Sequence, residues 1–227
     1  MTQTLDFLRK YCDLPALLYL LETKSITFLD PAQWDDKNDS LFMQLYKEHR
    51  KLKSLLAICF SQETDTYHHW SVFAHGSSGV CISFIKKSLL GTFEDYADVR
   101  VGEVSYLPLN SLKTYDCDVK DLPFLKRAPY APEGEFRAIY EDRDDNLPYL
   151  NMKISLSCID RITLSPWMPK NVANSVKKTI RRVPGAGAIE VTRSTLVQND
   201  TWAKFGRGVV EEKQAKKVQL SPSKRKE

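Results

Sequence analysis

The chain has 227 residues, 42% of them hydrophobic and 11% aromatic, with a formal net charge of +4. That composition excludes a disordered or fibrous chain and suits one globular domain. The positive charge does not by itself mark a nucleic-acid-binding protein. Residues 211–227 hold six Lys/Arg against three Glu, which leaves 27 basic and 26 acidic residues over positions 1–210. A single domain is therefore expected over 1–205, followed by a charged, flexible tail over 206–227.

The five cysteines are odd in number and none has Cys-x-x-Cys spacing. They point to a reducing compartment and away from a zinc site. No apolar segment follows a basic start, and no run reaches the ~20 apolar residues of a membrane span, so a cytoplasmic protein without a membrane partner is expected.

In chain order, Leu14–Thr23 reads as a short amphipathic helix with Pro15 at an early position. Ser25–Leu29 alternates as a strand does, and DPAQWDDKND at 30–39 supplies turn chemistry. Residues 40–53 carry apolar positions at helical spacing with basic residues last. Two short apolar runs, SLLAICFS at 54–61 and GVCISFIK at 79–86, predict buried strands around a loop rich in aromatics and histidine. Further strands are expected at 100–106, 135–140, 153–164 and within AIEVTRSTLVQ, with a helix over 166–182 stopped by Pro184 and Gly185. Strands and helices do not alternate regularly, so the class is α+β, not a doubly wound sheet. No GxGxxG or GxxxxGK[ST] loop occurs, which argues against Rossmann and P-loop nucleotide enzymes.

Two constellations could carry chemistry. The first is Trp70, Phe73, His75 and Gly79 in the loop between the apolar strands, read either as binding residues or as core anchors. His68 and His69 lack further ligands at metal spacing, and no metal is expected. The second is Glu133, Glu135 and Arg137, which at strand spacing share a face and bring two carboxylates beside a guanidinium. Like charges there raise one carboxyl pKa while Arg137 keeps the other ionised. A solvent-facing strand edge with a surface ion pair fits the same spacing.

Several motifs resemble the bacterial family called domain of unknown function 2971. They are Lys10-Tyr11, Pro31 with Asn38-Asp39, Phe60-Ser61, Trp70 through Phe84, Lys126, and Glu133-x-Glu135-x-Arg137, covering roughly 8–200. Phe73 stands where the family has Tyr, and Tyr130 is nearest to a family Trp. A looser resemblance is to ADP-ribosyltransferases, which present a basic residue, a hydroxyl residue and a late-strand Glu in that order. Arg9 or Lys10, Ser61 and Glu135 match it. The resemblance implies a split, mixed or antiparallel sheet with flanking helices, and NAD as substrate. Arg9, Lys10, Tyr11, Ser61, Trp70, His75 and Arg137 would hold NAD. Glu135 would stabilise the ribosyl cation, and Glu133 would orient an acceptor on protein, RNA or DNA. A toxin or anti-phage effector with a neutralising antitoxin is the matching biology. Two other expectations stand beside it: a non-catalytic binding module, and a metal-dependent nuclease using Asp35, Asp39, Glu133 and Glu135.

Overall fold

Asp13 ends the first strand and starts the first helix. Its carboxylate accepts from the Ala16 amide (2.9 Å), and Pro15 occupies the first turn, where no amide is needed. The computed structural model describes residues 6–74 and 76–219, with side chains to 212. Strand β1 (Phe7–Asp13) leads into helix α1 (Leu14–Thr23), which turns back through Lys24 in the left-handed region into β2 (Ser25–Leu29). Helix α2 (Lys37–Arg50) follows, capped by Asp36, and then β3 (Ser54–Ser61). Next come α3 (Tyr67–Phe73), β4 (Gly79–Ile85), α4 (Lys86–Glu94), β5 (Val99–Glu103) and β6 (Ser105–Leu107). Strands β7 (Leu125–Arg127), β8 (Glu135–Asp142), β9 (Tyr149–Lys153) and β10 (Ile159–Leu164) precede α5 (Lys170–Arg182), β11 (Glu190–Arg193) and α6 (Asp200–Gln219).

The main sheet forks along β3. One edge of β3 pairs with β8 over its whole length, and β8 carries β5. The other edge is shared: β1 meets it at Arg9–Ser61 and β2 meets it at Leu29–Ala57. From β1 the sheet runs outward through β4 and β10 to β11, and from β2 to β9. Among the described residues only β10–β11 is parallel within it, so the sheet is mixed; β6 and β7 form a separate parallel pair. The α+β class and the split, mixed sheet expected from the sequence are what the chain forms.

Both faces of β3 are covered, as its unbroken apolar run requires. Leu56, Ile58 and Phe60 join Leu8, Ile82 and Phe84 in a core capped by α1, α4 and α5. On the opposite face Leu55 and Ala57 pack with Met43 and Tyr46 of α2 and Ile139 of β8. The elements that the sequence reading did not give include β1, α3, α4, β7, β9 and α6. Helix α6 crosses the boundary anticipated between 205 and 206, and positions 220–227 lie outside the described residues. Among the described residues no helix is long and apolar enough to cross a membrane.

Gly79 opens β4 directly against the end of α3. A Cβ there would sit 1.8 Å from the Ala74 carbonyl oxygen, a backbone atom that cannot rotate away. Gly79→Ala is expected to lower unfolding free energy by ~1–3 kcal/mol, read as a lower urea midpoint at unchanged m-value.

Candidate functional site

The ladder pair that joins β1 to β3 is Arg9–Ser61, and Ser61 is also the partner of Glu135 on β8. Residues directly opposite one another on antiparallel strands project from the same face, with Cα atoms ~4.5–5.5 Å apart. Arg9, Ser61 and Glu135 therefore form one row across three adjacent strands. Lys10, the alternative cation, projects from the opposite face, where it stands opposite Ile82.

Along β8 the row meets a buried ionic cluster. Arg137 is completely buried. Its guanidinium donates in a fork to Asp39 (2.9 and 2.8 Å), to Glu135 Oε1 (2.8 Å) and to the Pro123 carbonyl (2.7 Å), under the Trp34 ring. Lys126 donates to Glu133 Oε2 (2.6 Å) and Glu135 Oε2 (3.3 Å) and lies over Tyr130. Three carboxylates face two cations. Burial pushes Glu135 up, but Arg137 and Lys126 outweigh it and hold its carboxyl down at about 2. Burial likewise pushes Glu133 up; Lys126 and, last in order, His68 oppose it while Glu135 adds to it, and its pKa stays above the ordinary value. The cluster thus separates a fixed carboxylate, Glu135, from a titratable one, Glu133.

The geometry corrects one expectation. Glu133 is not on the strand with Glu135 and Arg137: it ends a 3-10 turn over Ala128–Glu133, and Gly134 at φ +51° redirects the chain into β8. Lys126 brings the two carboxylates together, not strand alternation. Nor is β8 a solvent-facing edge, since β3 and β5 flank it.

Ser61 donates to the Glu133 carbonyl (2.7 Å), contacts His69 Nε2 (3.0 Å) and accepts from the Glu63 amide (3.1 Å). His69 is fully buried on α3, its other nitrogen faces Thr66 Oγ1 (2.5 Å), and its ring stacks on Tyr11 at 5.4 Å. Burial lowers its pKa, which favours the neutral ring. Trp70 packs edge-on against Tyr11 and its indole N–H donates to Asp65, whose other oxygen accepts from Ser194 (2.8 Å). The Tyr11 hydroxyl is buried beside the Cys81 thiol, with no nitrogen or oxygen partner among the described residues. His75 lies outside the described residues.

Beside the row a cleft of about 320 Å³ opens, lined by Arg9, Asp65, Trp70, Ser83, Arg161 and Arg193 among others. Arg9, one of its lining residues, donates to the Gln62 carbonyl (3.0 Å). Ser61 and Glu135 lie on the next two strands and are not among the residues that line it.

Sequence reasoning does not find His69, Asp65 or Arg193. Local spacing offers His69 only as a metal ligand, and Asp65 and Arg193 belong to distant segments that the fold brings together. Lys126 and Asp39 do carry a signal, since both stand among the motifs of the family resemblance. Asp35 is exposed, while the carboxylates of Asp39, Glu133 and Glu135 are ion-paired with Arg137 and Lys126. This arrangement does not favour the nuclease expectation.

No protein-family model matches the chain, the 2971 family included, and no curated protein matches it. Among solved structures it is similar to DarT of Thermus sp. 2.9 in complex with NAD+, at 8% identity and TM-score 0.45 over 86% of this chain and 98% of that one. The same DarT in complex with ADP-ribosylated single-stranded DNA aligns at 9% identity and TM-score 0.44, with the same coverage. A likeness of this degree carries no argument about chemistry, which rests on the residues themselves.

Two outcomes are expected of the cluster. Arg137→Met strands two buried carboxylates and should cost ~3–5 kcal/mol, seen as a lowered denaturation midpoint. Glu135, with its folded pKa near 2 against an ordinary 4.5, stabilises the fold fully above pH 4.5. That contribution is lost as pH falls from 4.5 through 2, so acid unfolding should begin in this window in the wild type.

Proposed function

We propose that the chain is an NAD-dependent ADP-ribosyltransferase whose reaction centre is the Arg9–Ser61–Glu135 row. The observation that carries the reading is the pair of strand registers, Arg9 with Ser61 and Ser61 with Glu135. They support it by setting Arg9, Ser61 and Glu135, the residue types that the sequence resemblance names, in one row, and they favour Arg9 over Lys10 as the cation.

In this mechanism NAD enters the cleft, and Arg9 exchanges the Gln62 carbonyl for its phosphates. Tyr11 and Trp70 border the nicotinamide, and the Tyr11 hydroxyl, which has no nitrogen or oxygen partner among the described residues, faces its carboxamide. The bond between ribose C1′ and the nicotinamide nitrogen breaks, and nicotinamide leaves with the electron pair. Glu135, ionised and immobile, stabilises the positive charge that develops on the ribose, which is the fixed electrostatic role that accelerates such a step. Ser61 fixes the Glu133 carbonyl and the His69 ring. An acceptor nucleophile on protein or nucleic acid then bonds to C1′, and its proton passes to Glu133. Arg137 serves by holding Glu135 rather than by touching NAD. Unrestrained modification of its own cell's molecules would be harmful, so a cytoplasmic toxin or anti-phage effector, held by a neutralising partner, fits this activity.

One observation favours a second reading, a non-catalytic binding module: the Ser61 hydroxyl and the Glu135 carboxylate already have their partners within the protein. The two readings part on turnover. Purified protein given labelled NAD with pools of protein, RNA and DNA should label one pool and release nicotinamide. Glu135→Gln should reduce this at least ~100-fold while keeping a cooperative melt, a loss typical of removing one transition-state electrostatic group. Ligand binding without nicotinamide release, in a preparation that melts cooperatively, selects the binding module.

Glu133 supplies a pH test. As a base it must be deprotonated, and its pKa is raised, so kcat/KM should fall as pH drops through a value above 4.5. Glu133→Gln should remove that acid limb from the profile.

A further inference from the structure

His69 on α3 is fully buried. A buried imidazole is unfavourable unless both ring nitrogens find partners, and here both do. The Glu133 carbonyl lies 3.2 Å from Nε2, and a carbonyl oxygen can only accept, so Nε2 carries a proton. Ser61 requires the same proton. Its own hydroxyl proton goes to the Glu133 carbonyl (2.7 Å), so in its contact with Nε2 (3.0 Å) the ring is the donor. In the neutral ring Nδ1 is then an acceptor, and Thr66 Oγ1 donates to it (2.5 Å) while accepting from the His69 amide (3.2 Å). Every proton is used, and the ring is the Nε2–H tautomer.

Two donors, from β3 and from α3, thus converge on one backbone atom, the Glu133 carbonyl oxygen. The next residue is held as well, since the Gln62 amide donates to the Gly134 carbonyl (2.8 Å) at the left-handed turn into β8. The Glu133 side chain has a different partner, Lys126 (2.6 Å). The His69 ring also stacks on Tyr11, with planes at 19°. A phenylalanine at this position could stack in the same way and fill the same space. It would leave the Glu133 carbonyl to Ser61 alone. What the imidazole adds is the second donor, aimed at the residue whose carboxylate is the titratable one of the cluster.

We propose that His69, as its Nε2–H tautomer, is a positioning residue for the acceptor step, an assignment that rests on the transferase reading. It holds the Glu133 backbone so that the carboxylate stands where the acceptor releases its proton. His69 itself touches neither NAD nor acceptor and exchanges no proton. A base displaced by ~1 Å loses far more in the reaction than the substrate loses in binding. Cleavage of NAD does not need Glu133, so it continues when the turn is loosened. Water then takes the place of the acceptor: its oxygen bonds to C1′, its proton goes to solvent, and free ADP-ribose is the product. Loss of positioning therefore diverts the ribosyl group rather than stopping its release.

The test compares His69→Asn, which is too short to place a donor where Nε2 stands, with His69→Gln, whose amide nitrogen reaches that place. Turnover of labelled NAD is followed as two products, nicotinamide released and acceptor labelled, in variants that melt cooperatively. His69→Asn should lower the label transferred per nicotinamide released by ~10-fold or more, with NAD affinity by calorimetry within about twofold of wild type. His69→Gln should restore most of that ratio. A nitrogen–proton correlation spectrum of the imidazole rings in isotope-labelled wild type, with the His69 signals assigned by their loss in His69→Gln, should show Nε2 protonated and Nδ1 bare. This spectrum decides the tautomer even if His69→Asn does not fold. An Nδ1–H ring, equal losses in the two variants, or an unchanged ratio in folded His69→Asn overturns the proposal. No nicotinamide from the wild type overturns the transferase reading and the role of His69 with it, whereas release with an unchanged ratio overturns the role alone.

Discussion

Arg137 is the residue on which the rest of the arrangement depends. A fully buried guanidinium is tolerable only if its charge and its donors are matched, and here Asp39, Glu135 and the Pro123 carbonyl match them. Those partners come from α2, from β8 itself and from the turn segment before β7. One side chain therefore ties the helix layer to the sheet and fixes the carboxylate at the head of β8. Its removal would release Glu135 and Asp39 together, and with them the separation between a permanently charged glutamate and a titratable one.

The fork in the sheet does the complementary work. Because β1 and β2 share one edge of β3, the β1–β3 ladder is the one pair Arg9–Ser61 before the strands diverge. Ser61 thus has Arg9 on one side and Glu135 on the other, at the place where the layers open into a cleft. The same divergence leaves α3 free to pack His69 and Trp70 against Tyr11. An unforked sheet would extend the β1–β3 ladder past this point and fill the space with paired backbone.

Much of this was legible in the residues. The unbroken apolar runs of β3 and β4, the alternation in β2, and the punctuation around α1 and α5 gave those elements within a few positions. The rest shows the limits of local pattern. Strand β1 contains Arg9, Lys10 and Asp13 and lacks apolar alternation; its pairing partners make it a strand. Helix α3 is two turns long and holds two histidines, so it reads as a loop. Helix α6 has Gly206, Gly208 and a mixed charge pattern, which read as a tail. In the candidate site, the Glu-x-Glu-x-Arg spacing pointed to the right residues with the wrong geometry, because the left-handed turn at Gly134 is invisible to a strand-alternation rule. The choice of Arg9 over Lys10 needed the register. Adjacent residues on a strand lie on opposite faces, and nothing in the sequence says which face matters.

The central claim is that the Arg9–Ser61–Glu135 row and the cleft beside it form an NAD site, and binding calorimetry with NAD on two adjacent substitutions tests it most directly. Arg9→Ala should weaken NAD binding at least tenfold, while Lys10→Ala, one residue away on the opposite face, should bind within a factor of two of wild type. Equal losses in both variants, or no loss in Arg9→Ala with the fold intact, would contradict the account.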